Sequence, residues 1–412
     1  MDSGGISTPA RSWVEEPRLA VRSTLLRRRS RFLRPFSAAV AVALAGGVAL
    51  GFAGAHSAPL KPIVEVRGIG GSKARFFEDP VVRDILLRNN MRVVVSDLGS
   101  RQAAHALENA LAADPGSVDF VFSSTQASAD QTKDVIAARG EPPPDSRKVF
   151  TSPLVFASYR PYAELLEVNG IAKQLAGTKS HYYTVDLAKF LQLGVRRTTW
   201  VDLSEHPAVQ AGATAPVPSR KIVLVQTTDM CTSSGGGTFA GLVTWHLNGS
   251  AVVQNLAEAD RIAAAGATLL REQGQPLTSP FEQYTSPQGP DIAPITYLYE
   301  HQYLEYQANR GTPDHDHVLL YADVIASSEA DFIARTEQGR ALADLLTDES
   351  TGLLRRATEL GYRVFNDTGD RLNRWLLDRS DGTLSLHRDL GTVAPMPAAD
   401  LMDRIIQHVG DC

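Results

Sequence analysis

Hydroxyl side chains and glycines are concentrated between Thr227 and Gly241, directly after an apolar run. The run from Ile222 to Val225 predicts a short buried strand, and the residues after Gly237 return to an apolar helical pattern. A strand, a polar glycine-rich loop and a helix N-terminus together present N–H groups and hydroxyls to a bound group. The stretch therefore predicts a binding site for an anion or another polar ligand.

The predicted contacts in this stretch are hydroxyls and backbone groups at the start of the helix. They are Thr232, Ser233, Ser234, Gly235 and Gly236. A purely structural alternative stays open, in which Ser233 caps the helix and the glycines only turn the chain.

The same arrangement recurs where other predicted strands end. Ile63 to Val66 is followed by RGIGGSK, Met91 to Val95 by SDLGSR, and Val118 to Phe122 by SST. Because ligands of open α/β sheets bind beyond the carboxyl ends of the strands, these loops are predicted to meet at one site. The side chains predicted to contact the ligand there are Ser72, Lys73, Ser100, Arg101, Ser123 and Ser124.

Residues 295–306 are densely aromatic and contain two glutamates. Such a segment forms either an aromatic seam of the core or a pocket wall whose polar tips bind a ligand. Tyr299 and Glu300 are predicted to contact the ligand, and Glu300 is the stronger exception to a core role because a buried glutamate needs a partner.

Other chemistries have weaker support in the sequence. Asp314 to His317 reads DHDH, but a zinc site needs a further ligand that the sequence does not nominate, so we expect an exposed turn and neither metal nor cofactor. A serine hydrolase would use Ser233 or Ser234 with one of ten histidines, and no spacing supports that pairing. We therefore expect a protein that is not an enzyme.

Charge is unevenly distributed along the 412 residues. Eight arginines against three acidic residues give residues 1–35 a net charge of +5, which leaves −10 for the rest of a chain whose total is −5. An acidic body argues against nucleic acid as a partner, because phosphate contacts need clustered Lys and Arg.

The basic segment 1–35 is followed by residues 36–55, which carry no charge. This order is typical of an export signal or of a membrane anchor, and it places the remainder outside the cytoplasm, secreted or anchored to the membrane. Cys231 and Cys412 could pair in such a compartment. Free thiols are favoured, because Cys412 ends the chain and Cys231 lies in the predicted binding loop.

Strand, loop and helix signals alternate from residue 60 onward, which predicts an α/β fold with two parallel or mixed sheets flanked by helices. The signals restart after residue 157, and a lone buried strand begins at 318. Two lobes are therefore predicted, one from 60–153 plus 318–412 and the other from 157–317, with chain crossings near Ser152 and Tyr321. Thr198 to Leu203 is predicted to be a strand.

Several motifs resemble type II periplasmic or extracellular solute-binding proteins of ABC transporters, the two-lobed group that includes binders of phosphate, sulfate and molybdate. They are GSK with FFEDP (Gly71 to Pro80), DLGSR (Asp97 to Arg101), SPLVFASYRP (Ser152 to Pro161), TDxCxSSGGG (Thr228 to Gly237) and YEHQY (Tyr299 to Tyr303). The resemblance implies a hinged fold, a ligand in the cleft between the lobes and permease subunits as partners. A membrane-anchored sensor that uses the same cleft is the alternative.

The charge of the ligand follows from the groups near the predicted loops. Lys73, Arg75 and Arg101 lie close to them, and hydroxyls with helix N-termini favour negative groups, so a small oxyanion or carboxylate is expected. Glu300 would oppose an anion, which makes a polar neutral solute the alternative.

Overall fold

The computed structural model describes residues 62–412 apart from 100–101, 176–180, 273, 275, 277–278, 327–328, 381 and 411. Residues 63–412 form one compact unit. The predicted segments 1–35 and 36–55 lie outside the described residues, as do Ser100 and Arg101. Within the described part of the chain, no helix is both long and apolar enough to cross a membrane.

The first sheet is built mainly from the N-terminal part of this unit. Its strands, in spatial order, are Arg363–Val364 (β12), Asp145–Thr151 (β4), Glu329–Ala334 (β11), Phe120–Ser123 (β3), Val64–Gly70 (β1) and Met91–Asp97 (β2). β1 is parallel to both β2 and β3, whereas β11 is antiparallel to β3 and β4. The carboxyl ends of β1, β2 and β3 therefore meet at one edge of the sheet.

The second sheet has the spatial order Ala172–Gln174 (β6), Tyr182–Val185 (β7), His317–Ala322 (β9), Leu154–Tyr159 (β5) and Ile295–Tyr299 (β8). β7 and β9 are parallel, and β5 is antiparallel to both β8 and β9. Val324–Ala326 (β10) and Thr392–Ala394 (β13) form a separate parallel pair. The α/β class with mixed sheets flanked by helices is thus confirmed.

The helices cover the faces of both sheets. They are Pro80–Arg88 (α1), Ala103–Ala113 (α2), Gln126–Ala138 (α3), Arg160–Val168 (α4), Leu187–Val195 (α5), Trp200–Ser204 (α6), Pro207–Gln210 (α7), Ser234–Leu247 (α8), Leu256–Arg271 (α9), Pro280–Tyr284 (α10), Gly289–Ile292 (α11), Glu300–Ala308 (α12), Glu337–Thr347 (α13), Leu353–Glu359 (α14), Asp370–Arg379 (α15) and Ala399–Gly410 (α16), with 3-10 helices at Ser72–Glu78 and Glu349–Thr351.

Alternation along β3 shows how the first sheet is buried. Phe120 and Phe122 pack in a cluster with Phe332, whereas Val121 between them packs with Ile69 in another cluster. Successive side chains of a strand point to opposite faces, so β3 must be covered on both sides. This explains why the strand is apolar without interruption, as is typical of central strands in sheets covered by helices.

Two predicted strands have other structures. Val223 and Val225 of the run Ile222 to Val225 are buried, but the bridges recorded there are isolated ones, Thr199 with Ile222 and Gln226 with Thr296. The N–H of Tyr297 donates to the carbonyl of Gln226 at 2.8 Å. Thr198 to Leu203 was predicted as a strand and instead enters α6, because Thr199 and Asp202 form a reciprocal capping box at its start.

The chain passes from the first sheet to the second between β4 and β5, and it returns between β10 and β11. The prediction that residues 318–412 join the first lobe is wrong at two places: β9 lies inside the second sheet, and Leu376, Leu401 and Ile405 pack in the core of that sheet. α16, which carries Leu401 and Ile405, packs along α9. Separate motion of two lobes stays a prediction.

Cys231 and Cys412 form a disulfide, with their Cα atoms 5.8 Å apart. The preference for free thiols is therefore wrong. The reason is that α16 packs along α9 and brings the chain end back to the loop at Cys231, so that Cys412 is not a mobile terminus.

Loss of this disulfide is expected to lower the free energy of unfolding by about 2–4 kcal/mol, because the bridge closes a loop of 181 residues in the unfolded chain. Chemical denaturation with and without reductant measures the change. The double variant Cys231→Ser/Cys412→Ser is the control and should not respond to reductant. Two titratable thiols in the denatured, unreduced protein would contradict the pairing.

Candidate functional site

A cavity of about 340 Å³, called the first cavity below, lies where the carboxyl ends of β1 and β2 face the second sheet. The first sheet contributes Gly71, Ser72, Arg75 and Gly99 to its lining. The second sheet and its loops contribute Leu154, Thr228, Asp229, Ser233, Gly235, Pro276, Ser279, Pro280, Phe281, Tyr297, Leu298, Tyr299 and Gln302. Loops that are far apart in sequence therefore meet at one site, as the strand ends predict.

Tyr299 connects the two sides of this cavity. Burial raises the pKa of its phenol, and hydrogen bonds with the side chains of Ser72 and Ser124 lower it in part. Lys73 is fully buried behind Ser72; its ammonium donates to the carbonyl of Ser124 at 3.4 Å and lies 5.4 Å from the centre of the Tyr299 ring. The predicted residues Ser72, Lys73, Ser124 and Tyr299 thus form one network, in which Ser72 and Tyr299 line the cavity.

At the start of α8, the backbone N–H groups of Gly235 and Gly236 donate hydrogen bonds to side chains of the same loop. The Thr228 and Ser233 hydroxyls lie 2.6 Å apart, Ser233 Oγ accepts from Gly235 N at 3.1 Å, and Thr228 Oγ1 accepts from Gly236 N at 3.0 Å. These two N–H groups were predicted to bind the ligand. Their hydrogen bonds are instead made within the protein, so the helix start offers side chains to the cavity more than free amides.

The glycines of this loop are required by close packing. A Cβ at Gly236 would lie 2.3 Å from the carbonyl oxygen of Thr228, and a Cβ at Gly99 would lie 1.9 Å from that of Thr232. The loop after β2 therefore rests directly against the binding loop of the second sheet. Thr232 takes part in this backbone contact and does not line the first cavity.

Two further predicted residues lie away from the first cavity. Ser123 is fully buried at the end of β3, and its hydroxyl has no partner among the described residues. Ser234 lines a different cavity, on the other side of the α8 start from Ser233.

Glu300 is not a ligand contact in this structure. Its carboxylate is fully buried and binds Arg363 in two places, from Nε at 2.6 Å and from Nη2 at 2.7 Å, and it accepts from the Tyr321 hydroxyl at 2.6 Å. Burial alone would lower the pKa of Arg363, but the Glu300 carboxylate raises it. Glu300 therefore ties the start of α12 to β12 of the first sheet, and its charge does not face the cavity.

Sequence reasoning did not single out Tyr297, Asp229 or Gln302, which all line the first cavity. Tyr297 is 3% exposed, and its hydroxyl has no hydrogen-bond partner among the described residues. Alternation was the available signal: Tyr297 and Tyr299 are two residues apart on β8 and therefore point to the same side of the strand.

Neither the serine hydrolase alternative nor a metal site at the DHDH segment is supported by the positions of the histidines in the described residues. Ser233 hydrogen-bonds Thr228 and Gly235 rather than a histidine. His317 in the DHDH segment pairs with Asp314, with Nδ1 2.9 Å from Oδ2. Across the described ranges, no group of three or more His, Cys, Asp or Glu side chains could hold a metal ion.

No family model matches the sequence, and no curated protein matches it. Among solved structures, the chain is similar to the periplasmic binding protein AfuA from Actinobacillus pleuropneumoniae with fructose-6-phosphate bound, at 10% identity and a TM-score of 0.47 over 84% of this chain and 94% of that one. It is also similar to iron-bound HitA from Pseudomonas aeruginosa, at 10% identity and a TM-score of 0.45 over 84% and 99%.

A further similar structure is the sulfate-binding protein SubI from Mycobacterium tuberculosis H37Rv, at 11% identity and a TM-score of 0.41 over 81% of this chain and 93% of that one. With about one residue in ten identical, no ligand is transferred from these proteins to this chain.

Glu300→Gln is expected to lower the free energy of unfolding by about 3–5 kcal/mol, because it leaves the Arg363 charge buried without a counter-ion. Urea denaturation measures the effect. The matched control is Glu272→Gln, which breaks the exposed pair with Arg197 and should change stability far less. Equal effects of the two substitutions would show that the buried pair is not a structural tie.

The free energy of unfolding is also expected to fall as the pH falls below about 6.5. Burial, aided by the Lys73 charge, lowers the pKa of His301 from 6.5 to about 3. Between these values the unfolded chain binds a proton that the folded protein does not, so His301 contributes a slope of about 1.4 kcal/mol per pH unit.

Denaturation at pH values from 7 to 4.5 tests this linkage. His301→Gln should remove that part of the slope, whereas His105→Gln, on the exposed surface of α2, should leave it unchanged. An unchanged slope in the His301 variant would contradict a neutral buried imidazole.

Proposed function

We propose that this protein is an extracytoplasmic solute-binding protein that holds a small polar or anionic ligand in the first cavity. The observation that carries the proposal is the Tyr297 hydroxyl, a buried polar group that lines the cavity and has no partner among the described residues. A buried hydroxyl without a hydrogen bond is costly, so a ligand atom or a bound water is expected to complete it.

Further lining groups support a polar ligand. Arg75, Ser72 and Ser279 line the cavity, and Phe281 and Leu154 supply apolar surface. A concave site with mostly apolar walls and a few converging polar groups is the usual form of a small-molecule site. Arg75 favours a ligand that carries an anionic group.

The position of the cavity supports binding with closure rather than catalysis. Its walls come from both sheets, which the chain joins at the crossings near Ser152 and after Ala326. A ligand that contacts both walls stabilises the state in which they are close. Delivery to permease subunits of an ABC transporter is the role that we assign to this closed state.

The location outside the cytoplasm has independent support in the Cys231–Cys412 disulfide, since such bridges persist in oxidising compartments. The basic segment 1–35 followed by the uncharged segment 36–55 is the sequence signal for export. Cleavage after residues 36–55 would give a secreted protein, and retention of this segment would give a membrane-bound one.

A thermal-shift screen with phosphate, sulfate, carboxylates, amino acids and sugars tests the proposal. A true ligand at 100 times its Kd should stabilise the protein by about 2.7 kcal/mol. Tyr297→Phe should then weaken binding of that ligand by about 1–3 kcal/mol while leaving the fold intact.

Tyr303→Phe is the matched control, because the Tyr303 hydroxyl donates to the carbonyl of His317 at 2.9 Å and does not line the cavity. It should change stability without changing affinity. Equal affinities of the wild type and Tyr297→Phe would place the ligand elsewhere, and turnover that is lost in Ser233→Ala would favour the hydrolase alternative.

A further inference from the structure

A groove of about 690 Å³, called the edge groove below, follows β2 at the edge of the first sheet. Its lining comes from the starts of β1 and β2, the 3-10 helix that follows β1, and α1. The lining residues are Ile63, Glu65, Phe77, Glu78, Arg83, Leu86, Leu87 and Met91 to Val95. β2 ends the spatial order of the sheet, and no other described strand pairs with its outer side. The groove is therefore an open sheet edge beside a helix, and it shares no lining residue with the first cavity.

The hydrogen bonds at the two ends of β2 show which of its backbone groups point outward. The carbonyl of Asn90 accepts from the N–H of Val64 at 2.8 Å, and the N–H of Leu98 donates to the carbonyl of Gly70 at 3.2 Å. The even-numbered residues of β2 therefore direct their N–H and C=O groups toward β1, since successive residues of a strand alternate. Those of Met91, Val93 and Val95 point away from the sheet, where a further strand could bind them.

The edge groove exposes large apolar side chains. Val94 is 44% exposed, Leu87 is 46% exposed and Ile63 is 59% exposed. Natural sheet edges are usually protected by lysine, proline or a bulge, but β2 contains neither residue type and pairs with β1 without a shift of register. A three-valine edge without these devices is suited to be covered by another strand.

The charged residues of the edge groove are balanced in sign. Glu65 and Glu78 line it together with Arg83 and Arg92. A surface of one sign repels an identical surface, whereas a surface with both signs can meet its own copy without a net penalty. The balance also gives no preference for an anionic lipid surface or for a strongly charged peptide. A second copy of this chain is the occupant that the charges favour.

The sequence of β2 also fits its own copy in one antiparallel register. With a two-fold axis through Val94 and perpendicular to the sheet, Val94 faces Val94 of the second copy, Val93 faces Val95, and the exposed Arg92 faces the exposed Ser96. Val93 and Val95 then exchange the hydrogen bonds of their outward backbone groups. An axis through Val93 would instead make the two copies of Arg92 diagonal neighbours, so like charges disfavour that register.

We propose that two copies of this protein associate through the edge groove, with β2 of each copy paired antiparallel at Val94 to form one continuous sheet. The two-fold axis keeps α1 of both copies on the same face of that sheet, where Leu87 of each copy covers exposed apolar surface of the other. The carboxyl ends of the two β2 strands point in opposite directions, so the two first cavities lie at opposite ends of the dimer. Association therefore does not depend on a ligand in the first cavity.

Analytical ultracentrifugation of the full chain in detergent micelles tests the proposal and should show a monomer–dimer equilibrium. Val94→Lys should raise the Kd of the dimer at least tenfold, because it places two ammonium groups opposite each other on the axis. Val81→Lys is the matched control: Val81 is 42% exposed on α1 but does not line the edge groove, so the Kd should not change. A monomer at every concentration, or a dimer that Val94→Lys does not weaken, would overturn the proposal.

Disulfide cross-linking tests the register itself. Both cysteines of the chain are bonded to each other, so Val94→Cys introduces one new thiol per copy. In the proposed register the two Cα atoms at position 94 form a non-hydrogen-bonded pair about 4.5 Å apart, which a disulfide can bridge. Mild oxidation should give a covalent dimer with Val94→Cys but not with Val81→Cys. Equal yields from the two variants, or no dimer from Val94→Cys, would contradict the pairing, and circular dichroism confirms that each variant is folded.

Discussion

The buried carboxylate of Glu300 is the constraint on which the arrangement of the two sheets depends. A charge with no exposed surface is tolerated only where a counter-ion and hydrogen bonds complete it, and Arg363 with Tyr321 supplies them. Arg363 belongs to β12 of the first sheet, whereas Tyr321 belongs to β9 of the second sheet and Glu300 directly follows β8 of that sheet. The charge can therefore be satisfied only when the sheets are held next to each other.

The geometry of the first cavity follows from this tie. Glu300 directly follows β8, so fixing Glu300 also fixes Tyr297 and Tyr299 on that strand. The backbone N–H of Glu300 donates to the carbonyl of Pro153, and that of His301 to the Ser152 hydroxyl, which holds the same point to the chain crossing. A wall placed at a rigid junction keeps its polar groups in position.

The sequence was most informative where one local pattern decides the outcome. Strand ends followed by hydroxyls and glycines indicated that loops distant in sequence meet at one site, and Ser72, Ser233 and Gly235 from these loops line the first cavity. Prediction from the sequence failed where the role of a residue depends on a partner that is distant along the chain. Arg363 lies 63 residues from Glu300, and α9 decides where Cys412 lies, so neither pairing has a local signature. Thr198 to Leu203 was misread because the capping box at Thr199 outweighs a β-branched run.

The hydroxyl-rich loop also shows why residue type does not by itself identify a ligand contact. The Thr228 and Ser233 hydroxyls hydrogen-bond each other and accept from the amides of Gly236 and Gly235, as the side chains of a helix cap do. A buried polar group that has no partner among the described residues is then a better candidate for a ligand contact. Tyr297 is such a group, since its buried hydroxyl has no partner among the described residues and the residue lines the first cavity.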